Sequence, residues 1–155
     1  AKQFFDQSES VFSTLEKNKM KYKKVDATDC NDKAVISELK SRKEKYFIYT
    51  GGGILKDEIL SIGKKFIHVH PGIVPYYRGS TCMYYSLINE GKIGATAFFL
   101  EKNIDTGDII AQKVYGKPPI QDIDHVYDPY MRSDLLVKII KSYVKTKKFR
   151  SGYYL

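Results

Sequence analysis

The apolar residues of this chain fall into runs no longer than a strand, and segments with helical spacing lie between most of them. Residues 46–50, 66–70, 95–100 and 109–115 are the richest in apolar and aromatic side chains. Such lengths suit buried strands, whereas a bilayer-spanning helix needs about 20 apolar residues in a row. Strands that alternate with helices predict an α/β fold with a mainly parallel sheet.

The individual elements follow from spacing and from breakers. Val11, Phe12 and Leu15 repeat at helical spacing and predict an amphipathic helix over 6–17. A short strand over 22–26 is expected next. Asn31 then caps a second helix whose Val35, Ile36 and Leu39 share a face. Strand 46–50 runs into Gly51-Gly52-Gly53, followed by a short helix over 56–61 that Gly63 ends. After strand 66–70, Pro71, Gly72, Pro75 and Gly79 punctuate an irregular loop, and a helix opens at Ser80 or Thr81 and closes at Gly91. Strands 95–100 and 109–115 are joined by a polar loop and are expected to pair as a hairpin. A last helix over 129–145 buries Leu135, Leu136, Ile139, Ile140 and Tyr143.

At 155 residues the chain has the length of one domain spanning 1–155, and its aromatic content excludes a long disordered polymer. The net charge of +8 is concentrated in runs at 17–24 and 138–150, the usual pattern of solvated helix faces and edges. An anionic small molecule would find these lysines attractive, but no helix-turn-helix, aromatic ribonucleoprotein motif or zinc finger is present, so no nucleic-acid partner is expected. Cys30 and Cys82 form no disulfide framework, and no leader-like segment opens the chain; a cytoplasmic protein with no membrane contact is the expectation. Cys82 is expected as a buried, inert thiol.

In an open α/β sheet, ligands bind beyond the carboxyl ends of the strands, and three segments there carry chemistry. Gly51-Gly52-Gly53 would let a ligand approach the backbone, but it lacks the lysine of a phosphate loop. His68 and His70 stand two residues apart on one strand and so project from one face. Asp105 lies in the Ile104-Asp105-Thr106-Gly107-Asp108 turn, from which it could orient an imidazole and stabilise its protonated form.

Taken together, these segments resemble the folate-dependent formyltransferases. The stretch from His68-Val69-His70-Pro71 through Pro75-Tyr76-Tyr77-Arg78-Gly79 is similar to that family's Asn-x-His-Pro loop, Ile104-Asp105-Thr106-Gly107-Asp108 to its Asp-x-Gly turn, and Gly94-Ala95-Thr96 to its Gly-x-Thr strand start. The resemblance implies a Rossmann-like formyltransferase sheet, mainly parallel, flanked by helices and lacking its leading strands. It implies transfer of a formyl group from formyl-tetrahydrofolate, as co-substrate, to an amine. His70 and Asp105 take the catalytic positions, and His68, standing where the family has Asn, is expected to donate a hydrogen bond to the formyl oxygen. Gly51, Gly52, Gly53, Ile54, Leu55 and Ile104 are the expected folate-binding residues, and Tyr77, Arg78 and Gly79 the expected substrate-binding residues. The expected acceptor is the amine of a nucleotide-linked sugar, and a homodimer is compatible with the resemblance.

Two rival readings remain at this stage. A zinc-dependent hydrolase would use His68 and His70 with Asp105 or His125 as a third ligand. A non-catalytic module would hold a folate or a nucleotide on the same scaffold.

Overall fold

The structure is a computed structural model that describes residues 8–51, 53–119, 122–149 and 152–154. Helix α1 (Val11–Lys17) is opened by Ser10, whose hydroxyl accepts from the Ser13 amide at 3.1 Å. The first part of the expected helix, residues 6 and 7, lies outside the described residues. Val11 and Phe12 do not reach the core: both are exposed, and Phe12 lies against the Tyr22 ring, at 5.4 Å. The strand expected over 22–26 does not form. Lys21, Lys23 and Lys24 make this segment strongly cationic, and Lys23 bonds to Glu38 on helix α2 (Lys33–Ser41) rather than joining a sheet. The cap of α2 is Asp32, whose carboxylate accepts from the Ala34 amide at 2.8 Å, and not Asn31. Asn31 sits one residue too early, and its amide turns outward to a different task described below.

The sheet comprises β1 (Tyr46–Ile48), β2 (Lys65–His70), β3 (Ile93–Phe99), β4 (Ile109–Gly116) and β5 (Tyr153–Tyr154), in that spatial order. Helices α3 (Asp57–Leu60), α4 (Cys82–Glu90) and α5 (Asp128–Thr146) complete the fold, α5 being entered through a π-helical turn at Ile123–Tyr127. The α/β class is as expected, but the strand directions are mixed rather than mainly parallel. β1 pairs parallel to β2 and β4 to β5, whereas β2–β3 and β3–β4 are antiparallel. The reason lies in the register: β3 enters beside the carboxyl end of β2, with Thr96 opposite His70. The loop and α4 thus leave from and return to the same end of the sheet, and β3 must run back. The nine-residue connection to β4, residues 100–108, is then too short for a parallel crossover, so a hairpin is the only route.

Helix α5 covers one face of the sheet. Leu135 and Ile139 are fully buried against Ile67, Val69, Ala95, Ala97 and Ala111, and the three alanines let the helix approach closely. Burial of side chains of this size contributes about 1.5–3 kcal/mol each. Phe66 points to the other face, where Leu55, Ile59 and the α2 residues Val35, Ile36 and Leu39 enclose it. By strand alternation His68 and His70 share the face of Phe66, at the end of β2 where the chain leaves the sheet.

Candidate active site

His70 is almost entirely buried, and both of its ring nitrogens have partners. Nε2 lies 3.0 Å from the Tyr77 carbonyl oxygen and 3.2 Å from the Cys82 sulfur, and Nδ1 lies 3.5 Å from the Asp105 carboxylate. A carbonyl oxygen only accepts, so Nε2 carries a hydrogen, and the titrating position is Nδ1, facing Asp105. Burial holds the ring's pKa below the ordinary histidine value, against the opposing pull of Asp105 and of the Tyr77 carbonyl. The neutral ring is therefore favoured, with a carboxylate ready beside it should a proton arrive. The Cys82 thiol donates to the Pro71 carbonyl at 3.2 Å, and burial pushes its pKa up to about 11. It is buried as expected and remains a thiol near neutral pH, acting as a hydrogen-bond partner of His70 rather than as a nucleophile.

Asp105 is placed by its backbone. Its φ of 53° is in the left-handed region, which aspartate tolerates better than most residues. Its Oδ2 accepts from the Gly79 amide at 2.8 Å, so the turn after β3 is tied to the loop after β2. Gly107 presses this turn onto β3, since a Cβ there would overlap the Phe99 carbonyl. Gly72 plays the matching part beneath His70. A Cβ at Gly72 would lie 2.6 Å from the Tyr77 oxygen and 2.8 Å from both the Cys82 sulfur and His70 Nε2.

Two buried polar side chains anchor the loop from below. The Thr96 hydroxyl donates to the Gly72 carbonyl at 2.6 Å and accepts from the Val74 amide at 3.2 Å. Gln112 donates from Nε2 to the Val74 carbonyl at 2.7 Å and to the Thr96 hydroxyl at 3.1 Å. Satisfied networks of this kind give a loop one geometry, because breaking any member leaves a buried polar group unpaired. The anchoring roles of Thr96 and Gln112 were not foreseen from the sequence. The available signal was a polar residue, Thr96, at the centre of the otherwise apolar β3, and Gln112 directly after the apolar run that opens β4.

A cavity of about 260 Å³ opens on the same face of the sheet. Gly51, Gly53, Ile54 and Leu55 form one side, Ile104 and Asp105 the other, and His68 and Tyr49 the wall between. Residues expected to bind a folate and two of the three expected catalytic residues thus converge. Gly52 lies outside the described residues. The glycine loop is held in place by Asn31, whose side-chain NH2 donates to the Ile54 carbonyl at 2.9 Å while its oxygen accepts from the Lys56 amide at 2.7 Å. The Tyr49 hydroxyl donates to the Gly53 carbonyl at 3.0 Å. Apolar Ile54, Leu55 and Ile104, the Tyr49 ring and bare glycine backbone make a slot suited to a flat heteroaromatic ring with polar edges.

His68 Nδ1 lies 3.1 Å from the Tyr49 carbonyl, which only accepts, so in the neutral tautomer that fits this contact the hydrogen is on Nδ1. Its Nε2 then carries a lone pair, and it becomes a hydrogen-bond donor only when the ring gains a second proton. Tyr77 and Gly79 meet the site through their backbones, at His70 and Asp105, and Arg78 is exposed. His125 lies away from these residues in sequence and structure, paired with Asp122 at 3.1 Å on the π-helical turn. Among the described residues no three histidine, cysteine or carboxylate side chains converge to hold a metal ion. Nor is any helix among them long and apolar enough to cross a membrane.

Comparison with known proteins places this geometry. A methionyl-tRNA formyltransferase of Desulforamulus reducens is 37% identical over 95 residues, which are 60% of this chain and 29% of that protein. Among solved structures, a 4-N formyltransferase from Francisella tularensis superposes with a TM-score of 0.62 at 24% identity, over 94% of this chain and 62% of the other. A methionyl-tRNA formyltransferase from Clostridium thermocellum gives 0.61 at 18% identity, over 89% and 60%. The chain spans about a third of the length of the curated relatives it matches. Its residues 4–132, most of its length, match the family described as Formyl transferase, and the chain belongs to that family.

Proposed function

We propose that the chain is a catalytic unit that transfers a formyl group from formyl-tetrahydrofolate to an amine. The observation that carries the reading is the cavity in which His68 and Asp105 face the Gly51–Leu55 side. Its flat, apolar slot fits a pterin, with glycine backbone to meet the ring's polar edge. Bound formyl-tetrahydrofolate would supply an activated formyl carbon.

The chain's own residues then handle protons and charge. His68, with Nδ1 committed to Tyr49, offers the Nε2 lone pair to the proton of an attacking amine. Once protonated, the same Nε2 can donate to the formyl oxygen as negative charge builds there, so the donor role expected of His68 follows the base role rather than preceding it. Asp105 stabilises positive charge on His70 or His68 at that moment, and His70 keeps Asp105 and the loop in register. The acceptor in this reading is a nucleotide-linked amino sugar, a small molecule, and the reaction is cytoplasmic, in keeping with the free thiols of Cys30 and Cys82.

A second acceptor, methionyl-tRNA, is favoured by one observation, the names of the curated relatives. Incubation of the purified chain with formyl-tetrahydrofolate and each acceptor, with the product read by mass spectrometry, separates the two. Formylated amino sugar is the expected product. Folate binding without turnover on either acceptor would replace the enzyme reading with that of a binding module.

A further inference from the structure

A second cavity, of about 310 Å³, shares no lining residue with the one that holds His68 and Asp105. The loop after β2 contributes Ile73, Tyr76 and Tyr77, the last turn of α4 contributes Glu90, and the paired strands β3 and β4 contribute Ile93 and Val114. Its size is at the lower end of the range for small-molecule sites, roughly 300–1,000 Å³, so it suits one apolar group with a short polar end.

Two opposite charges stand at its edge. Lys92 lies 3.4 Å from Glu90 across the Gly91 turn, and both side chains are nearly half exposed. That separation exceeds the roughly 2.7–2.9 Å of a close charge-assisted bond. Each group also keeps bonding capacity for a ligand, since an ammonium has three donors and a carboxylate about four acceptor sites. Glu90 closes the last turn of α4, where the helix dipole favours a cation and no basic residue of that turn supplies one. A phosphate would meet the Glu90 carboxylate as well as Lys92. A zwitterion finds a partner for each of its charges, and an apolar surface between Ile73, Ile93 and Val114 for the rest.

Tyr77 joins this cavity to the buried histidine. Its side chain lines the cavity and its hydroxyl donates to Glu90, while its carbonyl accepts from His70 Nε2 at 3.0 Å. Its amide donates to the Ile73 carbonyl, also at 3.0 Å, and the Ile73 side chain is seated over Gly94, where a Cβ would meet it at 2.5 Å. Two positions further on, the Gly79 amide donates to Asp105. A ligand that fixes Tyr77 therefore bears on both members of the His70–Asp105 pair.

The geometry points to this cavity as a binding site for a free α-amino acid with a large apolar side chain, coupled through Tyr77 to His70. Glu90 takes the ammonium, Lys92 takes the carboxylate, and the side chain lies on Ile73, Ile93 and Val114 beneath the exposed Tyr76 ring. The site is separate from the donor and acceptor of formyl transfer and does not depend on that reading.

Calorimetric titration with L-phenylalanine, L-phenylalaninamide and phenylpropanoate tests the site. The amino acid is expected to bind the unmodified chain, and the analogues, which lack the carboxylate and the ammonium respectively, to bind about tenfold or more weakly. Val114 is an exposed strand position, so Val114→Trp fills the cavity from outside and is expected to weaken L-phenylalanine by about tenfold or more with the thermal midpoint retained. Lys92→Met, at an exposed position, is expected to do the same and decides the matter if V114W does not fold. In NMR spectra L-phenylalanine is expected to shift the His70 ring signals of the unmodified chain and, at the same concentration, to leave those of V114W in place. No binding to the unmodified chain, or undiminished binding to either folded variant, overturns the site. Analogues that bind as tightly as the amino acid overturn the zwitterion class, and His70 signals unmoved at saturation overturn the coupling.

Discussion

The Nε2 of His70 and the carbonyl oxygen of Tyr77 are 3.0 Å apart, and this single contact decides which nitrogen of a buried ring carries the hydrogen. It leaves Nδ1 toward Asp105, 3.5 Å away, as the atom that gains or loses a proton. The consequence can be measured directly. In ¹⁵N spectra of histidine-labelled protein, neutral His70 is expected as the Nε2–H tautomer, and Cys82→Ala is expected to preserve it, because the Tyr77 carbonyl remains. A predominant Nδ1–H signal would contradict the assignment.

The same ring sets a pH dependence of stability. Burial lowers the His70 pKa in the folded chain below the ordinary 6.5, so the unfolded chain takes up its proton first as pH falls. The contribution is fully present above about pH 6.5 and is lost as pH drops through that value toward the folded pKa. His70→Gln should flatten the denaturant midpoint against pH in this window. An unchanged slope would mean that the ring takes up its proton as readily in the folded chain as in the unfolded one.

Asp105→Asn separates charge from shape. Asparagine tolerates the left-handed backbone, and its side-chain oxygen can still accept from the Gly79 amide, so the turn should hold. What is lost is the negative charge beside His70 and in the cavity. Formyl transfer is expected to fall about 10²-fold or more, in the range typical of general acid–base groups, while tetrahydrofolate affinity changes little. Full turnover in D105N would take the carboxylate out of the mechanism.

Gly72→Ala tests the packing that holds the pair. Its new methyl would press on the Tyr77 oxygen, the Cys82 sulfur and His70 Nε2 at once, none of which can retreat without breaking another contact. A cost of about 1–3 kcal/mol in urea unfolding is expected, as for other overpacked interiors. Gly94→Ala should behave alike, since its Cβ would meet the Ile73 side chain at 2.5 Å and the Lys113 carbonyl at 2.9 Å. If G72A unfolds at the same urea concentration as the unmodified chain, the loop is looser than the structure implies.

Much of this was legible in the sequence because it depends on local rules. The period of two put His68 and His70 on one face, Gly91 at φ 69° ended α4, and the spacing of Leu135 and Ile139 gave the buried side of α5. The hairpin of β3 and β4 was legible, but the direction of β3 against β2 was not. It depends on where α4 delivers the chain, a long-range matter that periodicity does not encode. Asn31 illustrates the other limit. As a residue type it suits a helix cap, but Asp32 took that role, and Asn31 bridges to Ile54 and Lys56, more than twenty positions away. The convergence of Thr96 and Gln112 beneath Gly72 and Val74 is likewise a property of the sheet register and not of either strand alone.

The attachment of α5 to β4 gives the last prediction. Asp134 on α5 accepts from Lys113 at 2.6 Å, Tyr115 at 2.8 Å and Lys138 at 3.0 Å. Burial works to raise the Asp134 pKa, but the hydrogen bonds from Lys113, Lys138 and Tyr115 outweigh it and hold the carboxyl at about 2, against an ordinary 3.8. Lys113 shows the opposite balance: burial pulls its pKa down despite Asp134, so part of the gain on the carboxylate is offset on the lysine. The net contribution is therefore about 1–2 kcal/mol, less than the carboxylate alone would indicate. A depressed carboxyl pKa stabilises the fold above the unfolded value, and the contribution is lost as pH falls from about 4 toward about 2. Asp134→Asn should lower stability at neutral pH by that amount and leave a shallower acid limb between those values. If the acid limbs of D134N and the unmodified chain run parallel, the carboxylate is not what fastens α5 to β4, and the apolar contacts of Leu135 and Ile139 carry the attachment alone.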